Sequence, residues 1–347
     1  VHSLRPLRSK NACNVWALQK PIVLYNYIRM KYFCVALALL AASAVFAAYP
    51  DEYPSYLRML GFSKSEIHDL QNGETIIHSL KDVRPGEFGI SAARVFDVPG
   101  YFIRDYYSYI ENFRDLQNFQ VVGKFSDPPL LKDLGPLTFD PLELQELAAC
   151  RQQCSLNLTQ EEIGGIRESS DLEQYYRNIL FNRLVEYKTT ANHSKNYLQE
   201  FPHLPIYFPF VVHYLTDYPA TQNEKTPEYF FWVKEKIGKK MVIQLRHAFS
   251  QRIGDDFIVV NNLVYANRSI AASALVLHLI NYADRGYPRT LLVYYGRNFV
   301  DSTTGAATGQ DKRIFYAFQI AGKELEKRYI SPLYQHFPYG LRPTDQR

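Results

Sequence analysis

From Glu228 onward the chain offers five strand-like runs in succession: EYFFWVKEKIG, KKMVIQLRHAFS, DDFIVVNNLVYA, SIAASALVLHLINYA and RTLLVYYGRNF. Each is dense in β-branched and aromatic residues, which suit a pleated, half-buried surface. Gly238-Lys239, Gly254-Asp255 and Asp284-Arg285-Gly286 fall between runs and supply turns. Runs this close together leave no room for crossover helices, so the expectation is an antiparallel meander.

Upstream the texture is mixed. Residues 52–72 read as one or two short helices, with Ser63 or Ser65 as N-cap. Glu87 to Pro99 alternates as a strand and runs into YFIRDYYSYIENF, where Ile103, Tyr106, Ile110 and Phe113 form one helical face. Asn118 to Phe125 returns to strand, and Pro141 to Ala149 is a short helix. Asp171 caps a long helical run, and another helix follows the prolines at 202 and 205, so residues 160–222 form a helical block. A last amphipathic helix is predicted from about Gln310 to Ile330, with Ile314, Phe318, Ala321, Leu325 and Tyr329 as its apolar stripe.

The first fifty residues read as an address. From Met30 the chain shows a basic start at Lys31, an apolar stretch from Val35 to Val45, and small residues at Val45 and Ala47. This is the pattern of a cleaved signal peptide, with cleavage expected after Ala47. The competing reading is an uncleaved anchor from Tyr32 to Ala48, which is short, Ala-rich and followed by no basic stop-transfer cluster. Residues 1–29 precede that plausible start and are read as an over-called extension, leaving 48–347 as a single domain. Removing the six basic residues of 1–47 from the chain's 39 leaves 33 against 35 acidic residues, a net of −2. That balance excludes nucleic acid as a partner on charge grounds. The expected location is periplasmic or secreted, as a monomer.

In such a chain Cys150 and Cys154 read as a disulfide, because an isolated close pair in an exported protein is most simply a local staple. Residues four apart on a continuous helix hold their Cβ atoms too far apart, so the helix from Pro141 must end near Cys150. No P-loop, G-x-G-x-x-G turn, H-E-x-x-H or G-x-S-x-G signature occurs. His193, His203 and His213 are ten residues apart with prolines between, which is no ligand spacing. No metal and no cofactor are expected.

The order of elements resembles the START-like helix-grip fold (the SRPBCC architecture). The residues that carry the resemblance are ISAARVFDVPGYFIRDYYSYIENF, a strand running into a helix, and TLLVYYGRNFVDSTTG before the final helix. A further resemblance is to uncharacterised secreted bacterial proteins of that type, through Cys150 to Cys154, Phe231 to Gly238, Tyr265 to Ser269, and Arg297 with Asp301. Here the cysteine spacing is one residue shorter, and Arg268 stands where those proteins have a histidine. The resemblance implies an α+β fold: a curved antiparallel sheet wrapped around a long C-terminal helix, with a helical insertion at about 160–222. It also implies a cavity between sheet and helix.

Candidate cavity residues follow from strand alternation. Met241, Ile243, Leu245, His247 and Phe249 share one face by period two, which places an imidazole on an apolar surface. The plainer account of His247 is a core histidine with one satisfying partner; the sharper one is a polar anchor for a ligand. Tyr265 is placed on the face of Phe257, Val259 and Leu263, and His278 on that of Val276 and Ile280. Arg94 lies on the face of Ile90 and Phe96. Tyr295 and Arg297 share the face of Leu291 and Val293, with a structural ion pair to Asp301 as the alternative role for Arg297.

The expected function is binding or carriage of a hydrophobic small molecule or lipid, held at its polar end by His247, Tyr265, Arg94, Tyr295 and Arg297. One alternative is a cavity enzyme using His247 as acid and base. Another is an envelope accessory protein that docks through the helical block. The run HLPIYFPFVVHYL suggests at most a transient membrane contact, since it lacks Lys and Arg.

Overall fold

The computed structural model describes residues 57–80, 87–108, 119–152, 154–190, 208–221, 226–237, 240–284, 287–300 and Lys323. The elements, in chain order, begin with α1 (Lys64–Gln71), β1 (Thr75–Ser79), β2 (Glu87–Phe96), α2 (Gly100–Ser108) and β3 (Phe119–Lys124). A helical stretch follows: a 3-10 turn at Leu131–Leu134, α3 (Pro141–Ala148), α4 (Gln160–Glu168), α5 (Leu172–Thr189) and α6 (Pro209–Asp217). The strands β4 (Glu228–Ile237), β5 (Lys240–Ile253), β6 (Asp256–Ala266), β7 (Ile270–Asp284) and β8 (Tyr287–Val300) complete the set.

All eight strands form one open antiparallel sheet in the order β1-β2-β8-β7-β6-β5-β4-β3. The five-strand meander is present as expected. β2 closes onto β8 (Ala92 opposite Tyr294) and β3 closes onto β4 (Val122 opposite Val233), so the early strands extend the meander at both ends.

The helix starts are written in local chemistry. Ser63, Asp140 and Thr159 each accept a bond from the backbone three residues on, while Glu66, Glu143 and Glu162 reach back to the cap, completing three capping boxes. Asp171 caps α5 by accepting from the Gln174 amide.

The sheet is covered on both faces. On one, α2 drops Ile103 and Tyr106 onto Ile90, Ala92, Phe96, Phe257, Val259, Leu277, Leu279 and Leu292. On the other, the helical stretch is fastened by Trp232, whose Nε1 donates to the Asp133 carbonyl at 3.0 Å. Lys234 of β4 reaches the same layer, donating to the Thr138 carbonyl at 2.7 Å and to Glu143 at 2.6 Å.

This arrangement corrects the helix-grip expectation. Strands dominate in an open eight-stranded sheet, and no long C-terminal helix occurs among the described residues for the sheet to wrap. The helix predicted over 310–330 lies outside the described residues, as do the leader at 30–47 and the extension at 1–29. The physical reason is that element order does not say which face a helix covers. Residues 160–222 were read as an insertion, but α4–α6 include a helix that packs on the sheet through Tyr187 and His247.

α3 ends at Ala148, and Cys150 and Cys154 beyond it are disulfide-bonded with Cα atoms 5.3 Å apart. Helix termination thus satisfies the condition that the spacing imposed.

Candidate functional site

His247 lies on β5 beneath the helical layer, fully buried. Its Nδ1 is 3.1 Å from the Tyr187 hydroxyl of α5, and its Nε2 is 3.0 Å from Glu228 Oε2 on β4. Tyr214 of α6 donates to Glu228 Oε2 at 2.7 Å, and Tyr218 donates to Oε1 at 3.3 Å. Phe230 stacks on the imidazole with centroids 4.5 Å apart.

The proton positions follow from these partners. Glu228 accepts only, so Nε2 carries the proton towards it and Nδ1 accepts from the Tyr187 hydroxyl. Burial pulls the His247 imidazole below its ordinary value, against the opposing pull of Glu228. Burial pushes the Glu228 carboxyl up, but hydrogen bonds from His247 and Tyr214 outweigh it and hold it low. Burial, with Glu228 adding to it, pushes the Tyr214 and Tyr218 hydroxyls far above the usual phenol range. Both ring nitrogens are therefore occupied, and the group works as a clasp between helices and sheet.

The other residues singled out in the sequence do not converge on His247. Tyr295 and Arg297 lie on the same sheet face, but on β8, with β7 and β6 between them and β5. Three strand spacings are about 14 Å. Arg297 donates to Glu87 at 2.6 Å and to the Tyr295 hydroxyl at 2.7 Å, so its carboxylate partner is Glu87. Burial pulls the Arg297 guanidinium down, but the bond to Glu87 outweighs that and leaves it above its ordinary value. His278, also buried, faces Asp256 at 3.7 Å.

Tyr265 is on the opposite face from the one its spacing predicts. A bulge shifts the β5–β6 register between Leu245 and Arg246, so Leu263 opposes Arg246 while Tyr265 opposes Leu245. One extra residue reverses the alternation. The Tyr265 hydroxyl donates to the Asn157 carbonyl at 2.7 Å on the helical side. Arg94 keeps the face expected for it, the α2 side, where Nη1 donates to Thr75 at 3.2 Å and the guanidinium lies 5.4 Å from the Phe96 ring centroid. Arg268 is bound to Glu146 at 2.8 Å.

A separate feature is open to solvent. At the end of the sheet where the β5–β6 turn and the neighbouring ends of β7 and β8 lie beside the start of α2, a cleft of about 740 Å³ is lined by Tyr101, Phe257, Tyr282, Pro227 and Pro288. Arg104, Arg252 and Arg289 line it as well. Asn281 braces this end: its side chain accepts from the Gly100 amide at 2.7 Å and from Thr290 at 3.2 Å, and it donates to the Asp255 carbonyl at 2.5 Å.

Sequence reasoning missed the cleft. The available signal was that both turns of one sheet end carry a flanking arginine, at 252 and at 289. It also missed Glu228, Tyr187, Tyr214 and Tyr218 as partners of His247. Pairing β4 with β5 across the Gly238 turn would have brought Glu228 close to His247; nothing local pointed to the three tyrosines.

Among the described residues no group of three or more His, Cys, Asp or Glu could hold a metal ion, and no helix is long and apolar enough to cross a membrane. Comparison with protein-family models and with curated proteins finds no match for the chain.

Proposed function

We propose that this protein binds a small organic molecule with an apolar, ring-bearing body in the cleft between α2 and the β5–β8 end of the sheet. The observation that carries the reading is the cleft itself. Its volume of about 740 Å³ lies within the ~300–1,000 Å³ typical of small-molecule sites. Its lining includes three aromatic rings and two prolines, Tyr101, Phe257, Tyr282, Pro227 and Pro288, surfaces that bury flat apolar groups at little entropic cost. Tyr101 is exposed by 45%, a large aromatic side chain offered to solvent at the rim.

His247 is not part of this site. It lies on the other face of the sheet with both nitrogens engaged, so the cavity-enzyme alternative has no open acid or base there. We propose further that the protein acts outside the reducing cytoplasm. The signal-like stretch at 30–47 and the Cys150–Cys154 pair support that location.

The test is fluorescence titration with N-phenyl-1-naphthylamine, an uncharged apolar probe. Uptake that Tyr101→Ala and Tyr282→Ala each weaken by about 10-fold is expected, given that burying an aromatic wall contributes on the order of 1.5–3 kcal/mol. No uptake, or uptake indifferent to both substitutions, overturns the reading.

A further inference from the structure

We infer that the ligand of this cleft is an organic anion, its carboxylate, sulfonate or phosphate gripped by Arg104 and Arg252. This rests on the cleft being the binding site. Among the described lining residues stand three guanidinium groups and one carboxylate, Asp255. An apolar-walled cleft with that surplus selects negative charge, because charge-assisted bonds strengthen where water is partly excluded.

The two arginines are partnered at Nε and Nη2 yet keep donors to spare. Arg104 spends Nε and Nη2 on Asp105 Oδ1, at 2.8 and 2.6 Å. Its guanidinium also lies 4.8 Å from the centroid of the Phe257 ring that forms the cleft wall. Arg252 spends Nε on the Gly254 carbonyl at 2.8 Å and Nη2 on Asp255 at 3.0 Å. In each case Nη1 remains for a ligand oxygen. A planar guanidinium with an unspent donor can add a charge-assisted bond to a ligand oxygen.

The carboxylates beside these arginines do not cancel them. Asp255 is 90% exposed and Asp105 is 43% exposed, so solvent screens both. Exposed pairs of this kind contribute roughly 0–1 kcal/mol, so they hold the guanidinium charge only weakly. Arg289 adds a third positive charge from β8, anchored by its Nε to Asp97 at 2.6 Å. An aromatic acid would then lay its ring against Tyr101 and Tyr282 and direct its acid towards the β5–β6 turn.

The experiment compares two probes of nearly the same ring skeleton on the full chain. One is 8-anilinonaphthalene-1-sulfonate, an anion; the other is N-phenyl-1-naphthylamine, which is neutral. Mutual displacement, with Tyr101→Ala weakening both, places them in the one cleft. The sulfonate is expected to bind about 10-fold tighter at low ionic strength, the scale of one charge-assisted bond. Salt should shrink that ratio. Arg104→Gln and Arg252→Gln should each lower it, and the two together should bring it close to one. Equal affinities, or a ratio that both substitutions leave intact, overturn the inference while the cleft stands as a site for neutral ligands. Binding of neither probe overturns the proposed function and this inference together.

Discussion

The hydroxyl of Tyr187 lies 3.1 Å from Nδ1 of His247, and through that contact α5 is tied to the centre of β5. The pair is buried, so neither group can exchange its partner for water at no cost. Tyr187→Phe leaves an imidazole acceptor unsatisfied and should cost about 1–3 kcal/mol. His247→Ala also opens a cavity among Phe230, Tyr214 and Tyr218 and strips Glu228 of its ring donor, so its loss should be larger, about 3 kcal/mol or more. Urea unfolding followed by tyrosine fluorescence measures both. Probe binding in the cleft should be unchanged in the folded fraction, since this clasp is on the far face of the sheet.

The same clasp makes the fold sensitive to acid. The folded state holds His247 below its ordinary value, so the unfolded chain binds that proton more readily. The stabilisation is then fully present above about pH 6.5 and falls away as pH drops below it. Glu228 is also held low when folded, and its share is lost further down, as pH falls below the usual carboxylate range. Glu146 follows the same sign: burial pushes it up, but bonds from Arg268 and Lys240 bring it to about 2. Stability measured from pH 8 to 2 should therefore decline in two stages. In His247→Gln the first stage, near pH 6, should be absent; its persistence would assign that loss elsewhere.

Arg297 and Glu87 make an ion pair with side chains 4% and 2% exposed, joining β8 to β2 at the place where the meander meets the early strands. Removing one partner leaves an uncompensated buried charge, so Arg297→Met should destabilise by about 3–5 kcal/mol. Arg297→Met with Glu87→Leu removes both charges and should recover most of that loss. A double variant as unstable as the single one would show that the pair contributes through geometry beyond its charge. Neither variant should alter the preference for an anionic probe, because this guanidinium is spent within the sheet.

How much of this was legible depends on the range of each signal. The meander, the caps at Ser63 and Asp171 and the end of α3 before Cys150 were readable because turn chemistry and capping act within a few residues. The inward face of β5 was readable too, and it carries His247. Tyr265 was misplaced by one bulge residue, which period-two counting has no means to anticipate. β1 was missed because TIIHS is short and lies at the sheet edge, with little alternation to reveal it. The cleft and the Glu228 cluster needed long-range information: Arg104 and Arg252 stand 148 positions apart and meet only because β5, β6 and α2 share one end of the sheet. The helix-grip expectation failed on the same point, since the order of elements is a one-dimensional fact and face coverage is not.

The Cys150–Cys154 bond closes a very small loop just past the end of α3, with Cys150 itself buried. In the chain-entropy account so small a loop restrains the unfolded state weakly, contributing at most about 2 kcal/mol. Its local setting adds other ties: Ser155 donates to Glu146 at 3.0 Å, and the Asn157 side chain donates to the Ala266 carbonyl at 2.8 Å. The segment after the disulfide is therefore pinned to α3 and to β6 without help from sulfur. Reduction, or Cys150→Ala with Cys154→Ala, should lower the unfolding midpoint modestly and leave the folded circular dichroism spectrum unchanged. Loss of the folded spectrum on reduction would mean that the staple holds the helical layer on the sheet, a role that its loop length does not predict.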